Sequence, residues 1–153
     1  MTTDPLRQFE AEHEEALGVL QRLDAAALAL EAGEAAAPHL AAVRAVHAIL
    51  TTKIRKHNDD EEWGLFPLLE GLAPSELFED EHRKLRNLEE ELGRALDGPA
   101  PGQRVVPPAL EIVELLRAHI AREDEVLFPM ARALLGAEGL AEVARRLTPP
   151  PSP

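Results

Sequence analysis

A string of residues that occurs twice constrains this chain more than any other feature. His119-Ile-Ala-Arg-Glu123 leads into Leu127-Phe128-Pro129, and the same spacing joins His57, Glu61, Leu65, Phe66 and Pro67. A second motif also recurs, Phe9-Glu10-Ala-Glu12-His13 matching Phe78-Glu79-Asp-Glu81-His82. All four Phe and four of the six His fall at matched positions. On an α-helix, His and Glu four residues apart stack on one face, so each His-x-x-x-Glu copy offers an imidazole and a carboxylate in one direction. Each copy is half of a metal site, and the two halves are expected to be related by a pseudo-twofold axis.

The rest of the sequence supplies helices to carry these motifs. Ala, Leu, Glu and Arg dominate, with no Tyr, one Trp and few β-branched residues, a mix that favours helix over strand. Asp4 before Pro5 reads as a helix N-cap, and Leu6, Phe9, Ala16, Leu17, Leu20 and Leu23 give a helical stripe that stops at Gly33. A second helix runs from Pro38 through Val43, Val46 and Ile54 to His57 and Glu61, with a kink or end near Trp63-Gly64 because of Pro67. The third spans Ser75 to Asp97. A stretch rich in proline and glycine from Gly98 to Pro108 reads as a loop. The fourth helix carries Leu110, Val113, Leu116, Ile120 and Leu127, and Pro129 is expected to repeat the interruption at Pro67. Leu140, Val143 and Leu147 suggest a short fifth helix between Gly136 and Thr148.

The expected fold is therefore all-α, an antiparallel up-down-up-down four-helix bundle with a short C-terminal fifth helix. One domain over residues 4–147 and a disordered Pro-rich tail over 148–153 account for the chain. In a bundle of alternating direction, His13, His57, His82 and His119 fall at the same end, about 10 to 15 Å in at about 1.5 Å per residue. Glu61 and Glu123 reach the same layer. An isolated His-Glu pair is ordinarily a weak surface ion pair, but six such groups buried together without a metal would each need a compensating hydrogen bond. Four imidazoles and two carboxylates suit two ions. If Glu61 and Glu123 bridge both, a bridging oxide or hydroxide gives each ion five ligands and leaves a sixth position open. Such mixed nitrogen and oxygen sites suit iron, with manganese or zinc possible.

Composition removes other classes. A formal charge of -12 opposes nucleic-acid and membrane-surface binding, and with no Cys any metal must be held by His and carboxylates. No apolar run approaches the roughly 20 residues that span a bilayer, and the start lacks a leader pattern, so a cytoplasmic location is expected.

The pattern resembles the hemerythrin-like HHE cation-binding family, whose members are four-helix bundles with a non-haem di-iron centre. The resemblance runs from Phe9 to Pro129 and implies the ligands His13, His57, Glu61, His82, His119 and Glu123, with the two Glu bridging. It also implies two non-haem iron ions and a small diatomic ligand or peroxide as partner. Oxygen-carrying hemerythrins place a second His four residues after the helix-three His, where this chain has Arg86. That difference turns the expectation from oxygen carriage towards sensing, scavenging or iron handling. The same carriers use an Asp at the place of Asp124, but Glu123 is preferred because it aligns with Glu61 in the internal repeat.

Two other readings compete. In a ferritin-like di-iron carboxylate protein, Glu10-x-x-His13 and Glu79-x-x-His82 would be the paired motifs, with Glu61 and Glu123 as single Glu ligands. That leaves His57 and His119 without a role, and Glu10 and Glu79 read better as acceptors orienting His13 and His82, or as plain acidic residues. The other reading is a metal-stabilised interaction or sensory module without catalysis. His39 and His47 lack matched partners and are expected outside the site. Trp63 is expected in the core or walling the pocket, and Asp59, Asp60, Glu62 and Glu125 on a solvated face.

Overall fold

In the computed structural model, which describes residues 4–148, apolar side chains spaced at helical period collect on the inner faces of a helical bundle. Helix α1 spans Leu6–Glu31 and buries Leu6, Phe9, Ala16, Leu20, Leu23 and Leu30. Its first free amide is satisfied as expected, the Leu6 N–H donating to Asp4 Oδ1 at 2.9 Å. At the other end Gly33 takes φ 83°, and the Gly33 and Glu34 amides donate back to the Leu30 and Ala29 carbonyls. That closure needs a left-handed residue, which glycine supplies without strain.

The second rod consists of α2, Ala36–Ile49, a wide π-helical turn over Leu50–Ile54, and α3, Arg55–Gly64. Thr51 and Thr52 hydroxyls donate to the His47 and Ala48 carbonyls, competing with the backbone where the turn widens. The α-geometry ends at Leu65 (φ -116°, ψ -54°), as Pro67 requires, and a one-turn helix α4, Phe66–Leu69, follows. Helix α5 spans Ser75–Asp97.

Two expectations need correction here, and a third is met. The segment from Gly98 to Pro108 is not wholly a loop: Pro101 opens a one-turn helix α6, Pro101–Arg104, at the position where proline's missing N–H costs nothing, and α7 begins within it at Val106. Pro129 does not break its helix. Helix α7, Val106–Arg122, passes into a π-turn over Glu123–Leu127 and then into α8, Phe128–Leu147, so the amide that proline lacks falls beside the widened turn. The fifth helix is the second part of α8, beyond Gly136 (φ 61°, ψ -169°), and it buries Val143. Of the expected Pro-rich tail, residues 149–153 lie outside the described residues.

Helix α1 lies against α2 and α7, and α5 lies against the same two, which closes the bundle. Its interior has two apolar parts. One is aliphatic, from Ala16 and Leu20 through Val46, Leu50, Leu92 and Leu116. The other holds Phe9, Phe66, Phe78 and Phe128 with Leu6, Leu65, Leu127 and Val143. The buried polar side chains His13, His57, His82, His119, Glu61 and Glu123 belong to neither and are bordered by both. Among the described residues no helix is long and apolar enough to cross a membrane.

Candidate metal centre

Each of the four histidines comes from a different helix, His13 from α1, His57 from α3, His82 from α5 and His119 from α7. Glu61 follows His57 by one turn on α3, and Glu123 opens the π-turn after His119. All six are buried, both glutamates completely. The structure brings all six expected residues together, in two overlapping groups: His13, His57, Glu61 and Glu123 in one, Glu61, His82 and His119 in the other. The Nε2 atoms of His13 and His57 are 3.1 Å apart. Glu61 Oε1 lies 3.4 Å from His57 Nε2 and 3.3 Å from His82 Nε2, while Glu123 Oε1 lies 3.2 Å from His13 Nε2 and 2.9 Å from His119 Nε2. Each carboxylate therefore spans one histidine of either pair.

A buried carboxylate is costly unless its oxygens are bonded. Among the described residues all four oxygens of Glu61 and Glu123 lack a hydrogen-bond partner, as do both ring nitrogens of His82. Groups whose lone pairs converge while their hydrogen bonds go unmade fit a bound cation, and nitrogen with carboxylate oxygen suits a divalent transition metal. Protons partly fill the role in the metal-free protein. Burial, then the Glu123 charge, raises Glu61 well above the carboxylate range. Burial lowers His82 to about 3, with the charge of His119 adding to it. His119 is pushed up to about 10: burial opposes this, but the Glu123 and Glu81 carboxylates at its two nitrogens outweigh it.

The outward nitrogens follow the same symmetry. His57 Nδ1 donates to Glu12 Oε1 at 2.9 Å, and His119 Nδ1 donates to Glu81 Oε1 at 3.1 Å. His13 Nδ1 is 2.7 Å from Asp124 Oδ1, and His82 Nδ1 is 3.3 Å from Glu62 Oε2. The hydrogen-bonded carboxylates behind His13, His57 and His119 fix those rings and leave Nε2 free to ligate, whereas Glu62 approaches His82 without a hydrogen bond. The phenylalanines pair off likewise. Phe128 and Phe66 stack on His13 and His82, and Phe9 and Phe78 meet His57 and His119 edge-on. Four rings thus shield four imidazoles from water on the side away from the aliphatic core.

Several expectations change. Glu10 and Glu79 do not orient the histidines of their own helices; Arg132 holds Glu10 at 2.6 Å, and Glu62, not Glu79, faces His82. The acceptors come instead from neighbouring helices across the bundle. Glu62 is accordingly not a free surface acid. Asp124 sits behind His13, whereas Glu123 faces the cluster. Trp63 neither walls the site nor packs in the core: it is 66% exposed, its indole N–H donating to the Arg146 carbonyl. His39 and His47 stay outside the cluster, the latter donating to the Glu89 carbonyl. Sequence reasoning missed the Glu12 and Glu81 roles: the repeat places each immediately before its helix's histidine but carries no mark of the helix each one reaches.

A cavity of about 510 Å³ runs from the surface between α1 and the second rod to His13, His57 and His119. The model of the hemerythrin HHE cation binding domain family matches residues 4–131. No curated protein and no solved structure matches the chain.

Proposed function

The chain belongs to the hemerythrin HHE cation-binding family, and from that membership we propose that its buried cluster holds two non-haem iron ions that bind or react with dioxygen, nitric oxide or peroxide, or report on iron itself. His13 and His57 would hold one ion and His82 and His119 the other, with Glu61 and Glu123 shared. The observation that carries this reading is the set of four buried glutamate oxygens without hydrogen-bond partners between two histidine pairs. When bound, an iron pair supplies redox electrons and a coordination position for a small ligand.

The chain's own residues define what such a ligand meets. Glu12, Glu81 and Asp124 hold the imidazoles of His57, His119 and His13 in place and increase their basicity. The phenylalanines keep bulk water away, which favours neutral ligands over hydrolysis. The cavity gives a route to the His13–His57 pair. A ferritin-like ligand set gains no support, because Glu10 is engaged by Arg132.

Metal analysis with an aerobic optical spectrum of the wild type and His119→Ala tests the reading. Two irons per chain with near-ultraviolet ligand-to-metal bands, reduced in the variant, are expected. One zinc per chain, or full metal content in the variant, contradicts it. Adding nitric oxide or peroxide to the reduced protein then separates the roles: repeated turnover indicates an enzyme, and a single stoichiometric change indicates a sensor or binder.

A further inference from the structure

The cavity beside the His13–His57 pair is far larger than a diatomic ligand needs. Its volume of about 510 Å³ falls within the roughly 300–1,000 Å³ of sites that enclose organic ligands, whereas one water occupies about 30 Å³. Its inner walls include Val19, Ile49, Leu116 and Ile120. Arg22, Lys53 and Lys56 border it as well, all three exposed, in a chain whose formal charge is -12. Lys56 is paired with Asp60, but among the described residues Arg22 and Lys53 have no acidic partner. Of the two acids there, Glu12 is committed to His57 and Glu15 is exposed. Asn58, only 4% exposed, also lines the cavity. A neutral gas makes no use of two free cations beside an apolar wall. A molecule with an apolar body and one negative charge uses both.

We propose that this cavity binds an amphipathic organic monoanion, a medium-chain carboxylate. Its carboxylate pairs with Arg22 and Lys53, and its apolar body lies along Val19, Ile49, Leu116 and Ile120 towards His13 and His57. The inference rests on the di-iron reading only in placing the inner end of the ligand beside metals. It makes the cavity a binding site in its own right, next to a reactive centre.

Calorimetric titration of decanoate into the purified protein, with metal content measured on the same sample, tests this. Saturable one-to-one binding is expected, with decanol at least tenfold weaker and the exposed-residue double variant Arg22→Ala/Lys53→Ala weakened about tenfold. Val19→Trp, which fills the cavity, should abolish binding, and circular dichroism on that variant checks that it folds. Absence of saturable decanoate binding to the wild type overturns the proposal, as does equal affinity for decanoate and decanol or an unaffected double variant. Metal content separates this failure from that of the iron reading. Two irons with no decanoate binding sink only the cavity ligand, and decanoate binding without metal sinks only the di-iron centre.

Discussion

The two halves of the cluster are built from matched residues, yet one is closed and the other open. Behind His119 and His82, the orienting carboxylates are themselves held: Arg122 pairs with Glu81, and Arg86 lies 3.5 Å from Glu62. Behind His57 and His13, Glu12 and Asp124 pair with no Arg or Lys among the described residues, and the cavity opens on this side, with both of these histidines and only His119 of the other pair on its wall. The Glu81 side chain is 8% exposed where its counterpart Glu12 is 34% exposed. The repeat explains the difference. Aligned copy on copy, Arg122 corresponds to Asp60 and Arg86 to Leu17, so neither arginine has an equivalent in the open half. Duplication accounts for the six clustered residues and the phenylalanines, and divergence one residue or one turn away decides which half meets solvent. Under the two-ion proposal, one ion would be held fixed and the other exposed to exchange.

The largest expected effect comes from removing what the halves share. Glu61→Ala strips a carboxylate from both histidine pairs, so metal content should fall from two ions towards none, whereas His82→Ala should lose mainly its own half. Equal losses in the two variants, read by metal analysis, would mean the halves are not linked through Glu61. Next come the orienting acids. Glu81→Ala should weaken metal binding by about 10- to 100-fold, and Glu12→Ala by less, because Glu12 is already 34% exposed to solvent. Competitive chelator titration measures both, and the reverse order would break the comparison.

Acidity offers a further test, in the metal-free protein. His119 is raised from 6.5 to about 10, so its contacts with Glu123 and Glu81 stabilise the fold fully below about pH 6.5. That contribution is lost as pH rises through about 10. The Tm of metal-free wild type should fall over this window, and His119→Gln should flatten the profile; a wild-type Tm rising with pH would contradict it. Smallest are the arginines. Arg122→Ala removes the exposed member of a pair worth about 0–1 kcal/mol while Glu81 keeps its bond to His119, so thermal stability should shift little. Conversely, Leu17→Arg with Asp60→Arg should give the open half its missing cations and slow metal loss to chelator several-fold, without changing the number of ions bound.

Much of this molecule was legible in its sequence, for definable reasons. Helical period marked the rods because burial selects one face, and the repeat marked all six clustered residues because ligation fixes residue type at fixed spacing. The Asp4 cap and the Gly33 stop were readable because each satisfies groups a helix end leaves free. The π-turns at Leu50–Ile54 and Glu123–Leu127 were not, since the same residues suit either helix and only the surroundings decide. Nor was the pairing of Glu12 with His57, because a contact between helices leaves no local spacing to read. Trp63 misled for the opposite reason: large aromatics are usually buried, but this one covers the end of α8 from outside.

The central claim is that Glu61 and Glu123 join two histidine pairs into one two-metal centre. Anaerobic titration of the metal-free protein with ferrous iron tests it most directly. The account predicts a break at two equivalents per chain, and loss of tight binding at both positions in Glu61→Ala. A break at one equivalent in the wild type, or two equivalents still bound tightly by Glu61→Ala, would contradict it.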